Sequence, residues 1–244
     1  MRLLKVFIKN MPRFKENIDI DFITKQRVAE NDKEKLFNVF SNNYTEIYTN
    51  QAISFIGLNA SGKTTILKAI SFVINLLNNE ALNNIKSKEI LNDLSDNEKV
   101  KITSFFYNDN SVYKLETHIE KRVNQVDNES KLIITEERLW EKDATKVKTK
   151  KSLFEFNDSD IRIERNEKEQ FLLNDVSVMI AINKEKQSNF PLRDMLMWTN
   201  HNMLNILGKF PKELLTFLDP SIEYFKCDIR KKPADIRLKF YESE

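Results

Sequence analysis

Two of the three glycines in this 244-residue chain stand in one window, Gly57-Leu58-Asn59-Ala60-Ser61-Gly62-Lys63-Thr64. At an average glycine usage of about 7%, a chain of this length would carry roughly 17. Placing two of so few in eight residues restricts what that window can be. Glycine lets backbone N–H groups turn inward and approach an anion with no Cβ in the way. The order glycine, four residues, glycine, lysine, then threonine predicts a phosphate-cradling loop, with Asn59 to Thr64 forming a nest of amides at the positive start of a helix. In such a loop Lys63 reaches the β- and γ-phosphates of a nucleoside triphosphate, the Thr64 hydroxyl ligates Mg²⁺, and the Thr65 N–H lies near the α-phosphate. The candidate binding set is Gly57, Asn59, Ala60, Ser61, Gly62, Lys63, Thr64 and Thr65, with ATP and Mg²⁺ as cofactors.

The flanks suit this reading. Ala52-Ile53-Ser54-Phe55-Ile56 predicts a strand entering the loop, and Ile66, Leu67, Ile70, Ile74 and Leu77 predict an amphipathic helix leaving it over 64–77. GTP is disfavoured, because the only Asn-Lys pair, Asn183-Lys184, is followed by Glu185 and Lys186, so no carboxylate stands where guanine would be read.

Alternation of apolar and polar residues predicts strands at Leu3–Ile8 and Ile18–Phe22 around a turn at Pro12. A polar loop with one short helix near Lys35–Phe40 is expected to fill 24–50. The stretch Asn78–Glu98 is open between helix and loop. Strands over Val100–Tyr107, Val112–His118 and Lys131–Leu139 form a meander, with Asn108-Asp109-Asn110 as a turn signal. Trp140–Lys151 reads as solvated, and Ile161–Ile163 as a short strand. Helical spacings follow around Trp198 and over Pro211–Leu218, and strands at Ile222–Phe225 and Ile236–Tyr241 end the chain.

With 39 basic and 37 acidic residues the net charge is only +2, so no overall field argues for a nucleic-acid or membrane partner. Cys227 is alone and no run approaches the roughly 18 apolar residues that span a bilayer, so a cytoplasmic, non-membrane protein is expected. His118, His201 and Cys227 have no metal-ligand spacing. Lys142, Lys146, Lys148, Lys150 and Lys151 form a candidate contact for nucleic-acid phosphates, weighed against a solvated loop.

The form Gly57-x-Asn59-x-Ser61-Gly62-Lys63-Thr64, after a strand pair enclosing Arg13-Phe14-Lys15, resembles the start of an ABC-type ATPase head of the SMC, RecF and OLD-like group. More narrowly, it resembles bacterial AAA family ATPases of abortive-infection and other anti-phage systems. The course through Ile133–Leu139, the helix at Trp198 and Leu215–Ile222 is similar too. The resemblance implies an α/β P-loop NTPase head, of which residues 1–244 form the N-terminal lobe. Strand pair, P-loop and first helix would occupy 1–80, a β-rich lobe with the β-meander 99–165, a helical subregion 175–219, and terminal strands 220–244. It further implies that Arg13 and Lys15 approach the nucleotide. Hydrolysis would need a second head in a homodimer or higher oligomer, and the whole would act as a nucleotide-gated switch with an effector protein, in phage defence or DNA maintenance.

The chain departs from that pattern in two places. With Gly208 the only other glycine, there is no Leu-Ser-x-Gly signature. Neither candidate Walker B strand ends in Asp-Glu: Val178–Ile182 runs into Asn183, and Leu214–Leu218 into Asp219-Pro220. The chain is then either the lobe of a longer ATPase, the reading favoured here, or a relative that binds without hydrolysing. A small-molecule or nucleoside kinase using Asp160, Arg162 and Arg165, and a non-hydrolysing scaffold that retains nucleotide, are the alternatives.

Overall fold

Alternating side chains at the start of the chain build β1 (Arg2–Lys9) and β2 (Ile18–Asp21), an antiparallel pair with Val6 opposite Ile20. Three long strands follow later, β5 (Lys99–Asn108), β6 (Ser111–Val123) and β7 (Ser130–Asp143), and then the short β8 (Ile161–Arg165). Asp109 and Asn110 sit at φ 47° and 61° between β5 and β6. Two left-handed residues in a row give the hairpin turn whose twist matches antiparallel strands, and short polar side chains tolerate it. All neighbours are antiparallel, in the order β2-β1-β5-β6-β7-β8. The computed structural model describes residues 1–57, 62–95, 98–123, 130–165, 172–185, 222–228 and 235–240, the last two as backbone.

One cluster of buried side chains belongs to α1 (Lys63–Leu77) and the sheet together. Ala69, Phe72, Val73, Leu76 and Leu77 of the helix join Val6, Ile8, Ile102, Phe106 and Leu115. A second cluster gathers Leu4, Phe105 and Val112 of the sheet with Phe40, Ile47, Val147 and Leu153. The fold is thus mixed α/β, built on an antiparallel sheet.

Several expectations need correction. The stretch 24–50 is no loop: a 3-10 helix covers Glu30–Lys35, and β3 (Leu36–Ser41) pairs with β4 (Glu46–Asn50). Phe40, Ile47 and Tyr48 are buried, and that apolar demand overrides the polar composition around them. Residues 52–57 join no strand, and Ile56 is 95% exposed. An apolar run becomes a strand only where a neighbour takes its backbone hydrogen bonds, and none lies alongside among the described residues. The stretch after Trp140 is not solvated throughout: β7 continues to Asp143, Trp140 is buried, and the Lys142 ammonium donates to the carbonyls of Ser152 (2.5 Å) and Glu155 (2.6 Å). The 78–98 stretch contains 3-10 turns at Leu82–Asn84 and Lys86–Leu91. Val178–Ile182 lies mostly in α2 (Met179–Glu185) rather than in a strand.

The chain divides into two compact units, Met1–Arg193 and Asp194–Glu244. In the second, β9 (Ile222–Asp228) and β10 (Asp235–Phe240) form an antiparallel hairpin. The helices anticipated between 195 and 218 lie outside the described residues. No described helix is long and apolar enough to cross a membrane.

Glu137 is fully buried on β7. Its carboxylate accepts from the Thr117 hydroxyl (2.7 Å), the Ser177 hydroxyl (2.8 Å) and the Val178 N–H (2.7 Å). Arg165 stands nearby on β8, donating to the carbonyls of Val176 (2.6 Å) and Leu173 (3.0 Å). Burial pushes the Glu137 carboxyl above its ordinary value, against the pull of these donors. Glu137→Ala strands three donors and is expected to cost about 3 kcal/mol, read as a lower urea midpoint.

Burial lowers the Lys142 ammonium from 10.5 to about 8. Between those values the unfolded chain holds a proton that the folded form has released, so this residue's contribution to stability rises with pH across the window. Urea unfolding at pH values spanning about 8 to 10.5 should show that rise shrinking in Lys142→Met, which keeps the packing over Phe156.

Candidate nucleotide-binding site

The start of α1 is set by Gly62, which takes φ 86° and ψ 8° immediately before Lys63. A side chain rarely adopts that left-handed conformation. A β-carbon there would also lie 2.9 Å from Phe14 Cζ and 3.3 Å from Cε1. Phe14 belongs to the β1–β2 turn, which is closed by its N–H bonding the Met11 carbonyl at 3.1 Å. The backbone conformation therefore favours glycine at this position, and any β-carbon would also have to push the Phe14 ring aside.

The Lys63 ammonium folds back to donate to the Gly57 carbonyl at 2.7 Å. The two ends of the motif are thus joined through the lysine side chain. Leu58, Asn59, Ala60 and Ser61 lie outside the described residues. The first turn of α1 carries no acidic residue and no side-chain cap, so the positive end of the helix has no neutralising group on that turn. Thr64 is exposed beside Lys63, and Thr65 lines a cavity of about 210 Å³ with Pro12, Arg13, Lys68, Glu89 and Asp93.

Arg13, at φ 70°, reaches that cavity, with its guanidinium ion-paired to Asp93 and 79% of its side chain exposed. Lys68 pairs with Glu89 at 2.5 Å across the same cavity. Lys15 is exposed. Sequence reasoning missed Phe14 and Asp93. An aromatic between two basic residues was the available signal for the first, and Asp93 carried none.

The residues of the kinase alternative do not converge. Arg162 pairs with Glu141 and with Glu185 (2.5 Å), Arg165 serves backbone carbonyls, and Asp160 accepts from the Asn157 N–H at 2.9 Å. Nor do the five lysines form one patch. Lys142 is turned inward, Lys150 donates to the carbonyls of Thr24 (2.6 Å) and Gln26 (2.5 Å), and Lys151 lies 3.7 Å from Glu155. Lys146 is exposed, and Lys148 stands over the Tyr44 ring at 5.9 Å. His118 lies between Glu116 and Glu136, and among the described residues no cluster of His, Cys, Asp or Glu is arranged to hold a metal.

Gly62→Ala should cost about 1–3 kcal/mol in stability from the left-handed backbone. In Phe14→Ala the steric part of that penalty should fall, which thermal unfolding of the two single variants and the double variant measures.

No curated protein and no solved structure matches the chain. A family model described as AAA domain matches residues 5–219, covering most of the strand pair and all of the glycine-lysine motif. The chain belongs to the AAA domain family, an AAA-type P-loop ATPase family whose function is of the nucleotide-binding, ATPase type.

Proposed function

We propose that the chain binds ATP with Mg²⁺ at Gly57–Thr65 and serves as the nucleotide-binding lobe of an ABC-type, SMC/OLD-like head. The observation that carries this reading is the left-handed Gly62 at an uncapped helix start, followed directly by a lysine whose ammonium already sits on the motif's first carbonyl. In this reading the ammonium exchanges the Gly57 carbonyl for β- and γ-phosphate oxygens, which are better acceptors because they are charged. Amides at the start of α1 take the remaining phosphate oxygens. Thr64 would hold Mg²⁺ through its hydroxyl, and the bound ion neutralises charge between the β- and γ-phosphates. Arg13 would leave Asp93 to meet the nucleotide.

Turnover also needs carboxylates to complete the ion's ligand set and to orient water. Neither Val178–Ile182 nor Leu214–Leu218 is followed by the Asp-Glu pair that would do this. A strand supplying them would lie along residues 52–57, where Ile53 and Ile56 are exposed. We therefore favour a lobe completed by further ATPase elements and by a second head, with nucleotide state gating assembly and an effector protein. Phage defence or DNA maintenance is the setting that the resemblance supports. Exposed Lys146, Lys148 and Lys151 are the nucleic-acid contacts left available among the five lysines.

Lys63→Ala should abolish ATP binding by titration calorimetry with an unchanged circular dichroism spectrum. Retained affinity would reject the site. ATP binding without turnover, in the chain and in its assembled oligomer alike, would favour the non-hydrolysing scaffold.

A further inference from the structure

A larger cavity, of about 580 Å³, opens among the 25–30 segment, the β3–β4 hairpin tip and Lys150. Its volume is that of a small-molecule site, and it shares no residue with the P-loop. Four cations line it, Lys25, Arg27, Lys33 and Lys150, against two carboxylates, Glu30 and Glu46. Both carboxylates are taken by Lys33, at 3.0 Å each. Among the described residues Lys150 is held by neutral oxygens, the Thr24 carbonyl and hydroxyl and the Gln26 carbonyl. Lys25 and Arg27 are exposed and make no ion pair or hydrogen bond among the described residues. The lining is therefore net positive by two charges, and burial of Lys150 adds to what an incoming anion would relieve.

An aromatic ring completes the cavity. Tyr44 is 65% exposed at the hairpin tip. The backbone that carries it is fixed, because Asn42 Oδ1 accepts from the N–H groups of Tyr44 (2.8 Å) and Thr45 (2.9 Å) while Asn42 Nδ2 donates to the carbonyls of Ala144 and Val147 at 2.8 Å each. A large ring held out in water beside unbalanced cations has the makings of a stacking platform, with phosphate contacts within reach.

We propose that this cavity binds a nucleotide unit, its base stacked on Tyr44 and its phosphate on Lys25 and Arg27 with the charge of Lys150 behind them, borne either by single-stranded nucleic acid or by a free nucleotide. The site is separate from the proposed ATP site and stands whether or not that one is correct.

The test uses the full chain carrying Lys63→Ala, so that no probe is retained by the P-loop lysine. Fluorescence anisotropy follows a 5′-phosphorylated oligothymidylate at about 0.1 M salt, with unlabelled AMP as competitor. The oligonucleotide should bind. Lys25→Glu with Arg27→Glu should weaken it at least about tenfold, and Tyr44→Ala should weaken it by a factor of roughly 5 to 100 while Tyr44→Phe keeps the affinity. These side chains are exposed, and unchanged thermal unfolding of each variant separates a binding defect from misfolding. Competition by AMP assigns the site to free nucleotide, and binding of the oligonucleotide without AMP competition assigns it to a strand. Absence of binding by both probes, or affinity indifferent to the charge reversals or to Tyr44→Ala, overturns the proposal.

Discussion

The burial of one face of α1 in the same cluster as the sheet fixes where the glycine-lysine motif ends. Phe72, Val73, Leu76 and Leu77 are completely buried, and each such side chain contributes roughly 1.5–3 kcal/mol. A helix of 15 residues extends about 22 Å. Burying its C-terminal half therefore holds its first turn at a fixed reach from the core, close to the β1–β2 turn. The contact of Phe14 with Gly62 follows, and so does the left-handed backbone that aims the helix start. Remove the apolar face, and the amides at the start of α1 lose their orientation even with every motif residue present.

Elements whose signal is local were legible in the sequence. The meander followed from alternating side chains and from Asp109-Asn110, two residues that accept φ above zero. The helix after the motif followed from its spacing of isoleucines and leucines. The β3–β4 hairpin was not legible, because Phe40 and Ile47 acquire their meaning only from Leu4, Phe105 and Val147, which are distant in sequence. Ala52–Ile56 failed for the opposite reason: its composition suits a strand, but strand formation is a property of pairs. At the candidate site, spacing alone singled out Gly57, Gly62 and Lys63, and the Lys63 ammonium does meet the Gly57 carbonyl. The ring of Phe14 over Gly62 and the Arg13–Asp93 pair could not, since both are contacts between turns far apart in the chain.

Charge was the least legible property. Five lysines between 142 and 151 look alike in the sequence, yet burial divides them. Lys142 and Lys150 spend their donors on backbone carbonyls and hold the 144–156 segment and the 24–26 segment in place. Both ammoniums are desolvated as a result, and their pKa values fall. Meanwhile Lys25 and Arg27, which no run of like charge singles out, make no ion pair or hydrogen bond among the described residues. Which cations meet an outside anion is decided by which carbonyls the fold leaves unsatisfied.

The buried carboxylate of Glu137 has a dynamic consequence. At seven residues α2 is too short to persist as a helix by its own hydrogen bonds. Its first turn is held because Ser177 and Val178 donate to an acceptor on β7, which Thr117 of β6 also engages. Fraying of α2 would leave that carboxylate short of partners inside the protein. The amides of α2 and of the middle of β7 should therefore exchange with solvent as one cooperative unit, with the short helix as slow to open as the sheet beneath it.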